Sequence, residues 1–210
     1  MNTKPSILSP RARGTRISLH VLCFFVMTAF SVSFAQTDIT GLKQLKHDED
    51  QGVHNALYRI RDTRAILAYS GFKSLGYVRT FSIASDGTIA RLGELRFDDD
   101  DASDIAIEQV ASDVYIIAYK GRSSDGFITT VKVSADGKTI TQLKKVEHDT
   151  KQGLYNKLIK VDSDTYALYY YGAAVSLGAT MKTFTIPADG SAITEEKSVV
   201  LSGSITTQPA

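Results

Sequence analysis

Cysteine is all but missing from this chain of 210 residues: the single one, Cys23, lies inside an apolar leader, and none follows residue 35. Disulfide staples, thiol nucleophiles and thiolate metal sites are thereby excluded from the body of the protein, although about 175 residues can be held by a core alone. A surplus of positive charge is missing too. Four of the 24 Lys and Arg residues precede residue 36 and none of the 23 Asp and Glu residues does, leaving 20 basic against 23 acidic groups, a net −3 with His neutral. Nucleic acid and anionic membranes both call for a basic surface, so neither is expected as a partner. Also lacking beyond the leader is any sustained apolar spacing of three and four residues, which argues against helix.

What is present begins with that leader. Lys4, Arg11, Arg13 and Arg16 form a positive start, followed by the apolar run "VLCFFVMTAFSVSFA" with small residues at Ser33 and Ala35. These are the marks of a secretory signal peptide over residues 1–35, with cleavage expected after Ala35. An uncleaved anchor is the competing reading, since Ile17 to Ala35 gives 19 residues, near the lower end of what spans a bilayer. His20 and several Ser and Thr residues weaken it. A lipoprotein is excluded because Cys23 sits near the start of the apolar run. The expected location is therefore exported: periplasmic, cell-surface or extracellular, with no membrane contact after cleavage.

Residues 36–203 read as a single repeat domain. Asp86-Gly87 recurs as Asp136-Gly137 and Asp189-Gly190, Gly71 as Gly121 and Gly172, and Gly76 as Gly126 and Gly178. The spacings run from 50 to 53 residues, and "ITGLKQLKHDEDQG" (39–52) matches "ITQLKKVEHDTKQG" (140–153). Internal periodicity of this length means stacked supersecondary units. The copies span 39–88, 89–139 and 140–191, a partial fourth covers 192–201, and 204–210 forms a flexible tail. Each copy divides into four extended segments; in the second these are "TIARLGELRFD", "IAIEQVA", "VYIIAYKG" and "GFITTVKVS". The third is apolar on both faces, as in a strand covered on both sides. The fourth alternates, with Phe127, Val131 and Val133 inward, as in a half-solvated strand nearer an edge. Gly126 and Gly137 are expected to close turns through backbone conformations open to glycine.

The run "DVYIIAYKGRSSDGFITTVKVSADG" (113–137) resembles the tandem β-propeller-type repeats of secreted bacterial and archaeal proteins, with their Val-Tyr-x-Ile-Ala-Tyr-x-Gly stretch and two Asp-Gly pairs. The resemblance covers most of residues 39–201, with Leu75-Gly76 replacing the first Asp-Gly in copy one and copy three the most divergent. It implies one four-stranded blade per repeat and no single activity. An all-β, propeller-like array of three four-stranded repeats plus one extra strand is the expected fold, with a β-trefoil as the alternative. A ring usually needs four to eight blades, so three cannot close. Two chains sharing a six-bladed ring would resolve the count, as would truncation of a longer propeller.

Candidate chemistry is sparse. Asp98, Asp99, Asp100, Asp101 and Asp104 form an acidic run in which calcium is the one cation to consider, since hard cations take several oxygen ligands; no other cofactor is expected. Asp48, Asp98 and Asp149 fall in register, and the plainer reading is a strand-ending carboxylate that bonds backbone N–H groups of the next turn. Candidate binding residues are accordingly Asp48, Asp98, Asp149, Asp100 and Asp104, with no catalytic residue and no dedicated metal ligand. His47 and His148 share their register with Phe97, which points to a packed ring. His54 has no evident carboxylate and serine around it. Tyr69, Tyr119 and Tyr170 are in register and read as core. Were the first segment of each repeat to line a central channel, Gln44, Glu94 and Lys145, then Lys46, Arg96 and Glu147, would face it with mixed signs.

The expected function is a binding or assembly module with a protein or carbohydrate ligand, recognition falling on the loops near Asp48, Asp98 and Asp149 or on the unfinished edges. The competing expectation is a propeller hydrolase of lactonase type. Its signature would be a carboxylate and a histidine converging on one channel mouth.

Overall fold

The computed structural model describes residues 41, 43–61, 63–172 and 178–204, with side chains to residue 201, so the expected leader and most of the expected tail lie outside the described residues. The described chain is β throughout, apart from two three-residue 3-10 turns, Phe72–Ser74 and Arg122–Ser124. No helix among the described residues is long and apolar enough to cross a membrane.

Twelve strands form three separate four-stranded antiparallel meanders. The first sheet holds β1 (Val53–Arg61), β2 (Arg64–Ser70), β3 (Gly76–Ile83) and β4 (Ile89–Asp98). The second holds β5 (Ser103–Ala111), β6 (Val114–Lys120), β7 (Gly126–Val133) and β8 (Ile140–Asp149). The third holds β9 (Leu154–Lys160), β10 (Thr165–Gly172), β11 (Gly178–Thr185) and β12 (Thr194–Ser204). Among the described residues no strand passes from one sheet to another, so the trefoil alternative is not adopted.

Sheet and sequence repeat are out of phase by one strand. The segment that opens repeat two, 89–98, is the fourth strand of the first sheet, and the extra strand at 192–201 completes the third sheet as β12. Because β5 lies against both β1 and β9, the first strand of each sheet is innermost and the fourth is outermost. The expected channel ladders are therefore corrected. Glu94, Arg96, Lys145 and Glu147 belong to the outer strands β4 and β8, while Gln44 and Lys46 lie in coil before β1.

Two clusters hold the sheets together. Between the first and second, Ile66, Ala68 and Val78 meet Tyr115, Ile117, Tyr119 and Val131. Between the second and third, Val114, Ile116, Ala118 and Ile128 meet Tyr166, Leu168, Tyr170 and Phe184. Strand β6, with a sheet on either side, is buried along its whole length up to Lys120. Each of the larger aliphatic and phenyl side chains contributes roughly 1.5–3 kcal/mol by leaving water.

Strand β7 departs from the half-wet pattern its sequence suggests: only Lys132 is exposed, and Thr129 and Thr130 are fully buried. Thr129 is satisfied within its own sheet, donating to the Lys144 carbonyl (2.9 Å), and Thr130 is covered by a hook from the next sheet. The Thr130 hydroxyl donates to the carbonyl of Gly190 (2.7 Å), at the tip region of the loop after β11, as the Thr80 hydroxyl donates to that of Gly137 (2.5 Å). Gly137 and Gly190 hold φ of +78° and +68°, which glycine reaches at least cost. Gly126 does not have positive φ; there the missing Cβ makes room for the His148 imidazole lying against the backbone.

Candidate functional site

Two of the three register-equivalent carboxylates prove to be joints between sheets, and the third lies against the first sheet. Asp98 is buried at the end of β4, where it accepts hydrogen bonds from the Tyr119 hydroxyl of the next sheet (2.5 Å), the Lys145 ammonium (2.7 Å) and the Asp100 N–H (2.9 Å). Asp149 likewise accepts from the Tyr170 hydroxyl (2.9 Å) and from the N–H groups of Lys151 (2.9 Å) and Gln152 (3.0 Å). Asp48, in the coil before β1, takes the N–H groups of Asp50 (3.0 Å) and Gln51 (2.9 Å) and lies beside Tyr69, whose hydroxyl donates to Glu94 Oε2 (3.3 Å).

An aromatic ring lies edge-on to each tyrosine: His47 on Tyr69 at 4.9 Å, Phe97 on Tyr119 at 5.0 Å, His148 on Tyr170 at 4.7 Å. Burial pushes the Asp149 carboxyl up, but the Gln152 and Lys151 amides and the Tyr170 hydroxyl outweigh it and hold it below the ordinary range. The balance at Asp48 has the same sign. The tyrosines move the other way, by burial first and then by the carboxylate: Tyr69 is pushed up to about 12, and Tyr119 and Tyr170 rise further. His148 is driven down to about 3, by burial, then by the Lys182 ammonium, with Asp149 opposing. Of the remaining acidic run, Asp99 pairs with Arg96 (2.5 Å) and Asp101 with Lys120 (3.3 Å). Among the described residues no three His, Cys, Asp or Glu groups are placed to hold a metal ion together.

Six residues beyond each of these carboxylates the chain does something unusual. His54, Asp104 and Tyr155 open β1, β5 and β9 with φ of 53°, 50° and 56°, left-handed conformations rare outside glycine. Each sits where strand pairing slips its register, so the three innermost strands share one bulge. Bulges re-aim side chains, and non-glycine residues held in this region cost of order 1–3 kcal/mol each. Amide side chains brace the turn: Asn55 Nδ2 donates to the Gly52 carbonyl (3.0 Å) and Asn156 Nδ2 to that of Gly153 (2.8 Å). Asn156 also reaches the Asp104 carbonyl of the neighbouring sheet (3.0 Å).

The outcome is a cavity of about 160 Å³ lined by His54, Asn55, Asp104, Ile105, Tyr155, Asn156 and Lys157. It lies at the inner ends of all three sheets and is polar. Behind its wall Asn156 Oδ1 is buried without a partner. Of the candidate binding residues, Asp104 alone lines this cavity; Asp98 and Asp149 stand at the two joints between sheets, Asp48 lies against the first sheet, and Asp100 is exposed on a connecting loop. His54, for which the sequence offered no carboxylate, shares the cavity with one. The signal that could have found the site is the fixed six-residue offset from Asp48, Asp98 and Asp149 to His54, Asp104 and Tyr155.

Three blade-like meanders, their innermost strands packed together and a polar cavity at those strands, make this a propeller-type β-repeat module. No family model matches the chain, and no curated protein matches it in sequence. Among solved structures, the periplasmic gluconolactonase of Pseudomonas aeruginosa overlaps it with a TM-score of 0.46 at 10% identity, over 71% of this chain. The chain spans 58% of the gluconolactonase's length.

Proposed function

We propose that the protein is an exported binding module whose ligand is a small polyhydroxylated molecule of the saccharide class, held at the inner ends of the three sheets. The observation that carries this reading is the triple bulge. Three equivalent positions keep the same costly backbone yet present different polar groups, an imidazole, a carboxylate and a phenol, to one cavity. Such strain persists where the surroundings over-determine it, and it clusters at ligand sites. The set offers donors from Lys157 and Tyr155, an acceptor from Asp104, and an aromatic edge. Hydroxyl groups, which donate and accept, suit that mixture. The leader and the resemblance to secreted propeller-type repeats support export.

Titration calorimetry with a panel of neutral monosaccharides and disaccharides tests the reading. Binding that disappears in Asn156→Ala and Asp104→Ala, with the fold intact by circular dichroism, is the expected result. No heat at millimolar sugar, or affinity untouched by both substitutions, would refute it. A hydrolase is the second reading, favoured by the meeting of His54 and Asp104 in one cavity. It requires turnover of simple lactones or esters that His54→Ala abolishes.

A further inference from the structure

Two joints inside the chain are built alike, and the chain presents the two unmated halves of a third. In each internal joint the loop bearing an Asp-Gly turn hooks onto a buried threonine of the preceding sheet: Gly137 onto Thr80, Gly190 onto Thr130. Around each hook an apolar face of one sheet covers that of the next. The first sheet has its own hook at Gly87, with φ of +81° and an Asp86 side chain bonding Thr88, as Asp136 bonds Lys138 and Asp189 bonds Ser191. Among the described residues no preceding sheet receives it. The third sheet carries Thr183, six residues before Asp189 as Thr80 and Thr130 stand six before Asp86 and Asp136. It is only partly buried, whereas Thr80 and Thr130 are wholly so.

The flanking faces tell the same story. Met181 is 39% exposed, while Val78 and Ile128 at its register are 0% exposed inside the two joints. Val199, Leu201 and Ile159 lie exposed beside it. On the first sheet Leu57 is 68% exposed and stands with Ala65, Leu67, Phe81, Ile83 and Ile89 around an open apolar hollow of about 370 Å³. The carboxylate joint is shared out in a complementary way. From Lys197 onward β12 has no acidic residue where β4 and β8 end in Asp98 and Asp149. The first sheet already holds Asp48 on its Tyr69.

We infer that the exposed face of the first sheet docks onto the exposed face of the third sheet of a second copy of this chain, Gly87 hooking Thr183. The occupant is a second copy because both faces continue an interface the chain itself already uses twice. A head-to-tail contact closes when its rotation closes, and two copies of three blades make six, within the range of closed propellers. The same contact occurs twice in such a pair.

The test is the solution mass of the protein as cells produce it, by light scattering, with two variants. A dimer is expected, and both Leu57→Glu and Met181→Glu convert it to monomers that keep their β-sheet circular dichroism. Mixing the two variants restores one of the two joints, since each supplies the face that the other lacks, and a dimer reappears at reduced affinity. Thr183→Val weakens the dimer about tenfold without moving the melting temperature of the monomer. A wild-type monomer at micromolar concentration overturns the inference. Mass that keeps growing with concentration overturns the closed ring, and dissociation by Leu57→Glu but not by Met181→Glu overturns the head-to-tail arrangement.

Discussion

Replacing His148 by phenylalanine should make the protein more resistant to acid. The imidazole is buried with both ring nitrogens unpartnered, edge-on to Tyr170 at 4.7 Å. Phe97 fills the same place against Tyr119 at 5.0 Å, so the joint accepts a phenyl ring. The folded histidine titrates at about 3, against 6.5 for the free group. Its folded value is depressed, so between those limits the unfolded chain binds the proton and the folded chain does not. Stability therefore falls as pH drops below 6.5, and the loss is complete near 3. At pH 4.5, two units below the free value, the cost is roughly 3 kcal/mol, at about 1.4 kcal/mol per unit. Urea denaturation of wild type and His148→Phe at pH 7 and pH 4.5 reads it directly. The stability difference should shift by about 3 kcal/mol in favour of the variant at the lower pH. Carboxylates common to both proteins cancel in that difference. Two curves that fall in parallel would refute the reasoning.

Asp98→Ala strands a buried tyrosine hydroxyl and a half-exposed ammonium, and should cost about 2–3 kcal/mol in chemical denaturation; Tyr119→Phe, which leaves Asp98 its lysine, should cost about 1 kcal/mol. Thr130→Val leaves the Gly190 carbonyl unpaired between sheets and should lower stability by about 1–2 kcal/mol, with faster hydrogen exchange in the loop after β11. His54→Gly relieves a left-handed residue on the cavity wall. It should raise stability by about 1 kcal/mol, strain relieved less the extra freedom of glycine, while weakening sugar binding in the same calorimetric assay.

What the sequence reveals about this fold depends on how local each cause is. Strand β6 is legible because "VYIIAYK" is apolar at every position that its two neighbouring sheets cover. The aromatic joints are legible too, since His47, Phe97 and His148 stand in register and only a packed ring tolerates that exchange. Strand β7 is misread because a threonine looks the same whether water or a backbone carbonyl sixty residues away accepts its proton. The phase of the sheets is hidden for a related reason: a repeat unit can be cut anywhere along its length, and only pairing shows that Asp98 ends a sheet. The cavity was written in the sequence as a constant offset. Its residues differ in chemistry from copy to copy, however, so a comparison that looks for sameness passes over them.

The one-strand offset between repeat and sheet has a mechanical consequence. Every sheet is finished by residues that belong to the following copy of the repeat, the last by the partial fourth, so neighbouring copies are stitched by a full ladder of hydrogen bonds as well as by their packed faces. Cutting the chain between residues 88 and 89 would strip the first sheet of its outer strand and leave a bare edge. Cutting it between 99 and 102 would leave both sheets whole. The unit that repeats and the unit that folds are staggered like courses of brick, and a load on one copy is carried into the next.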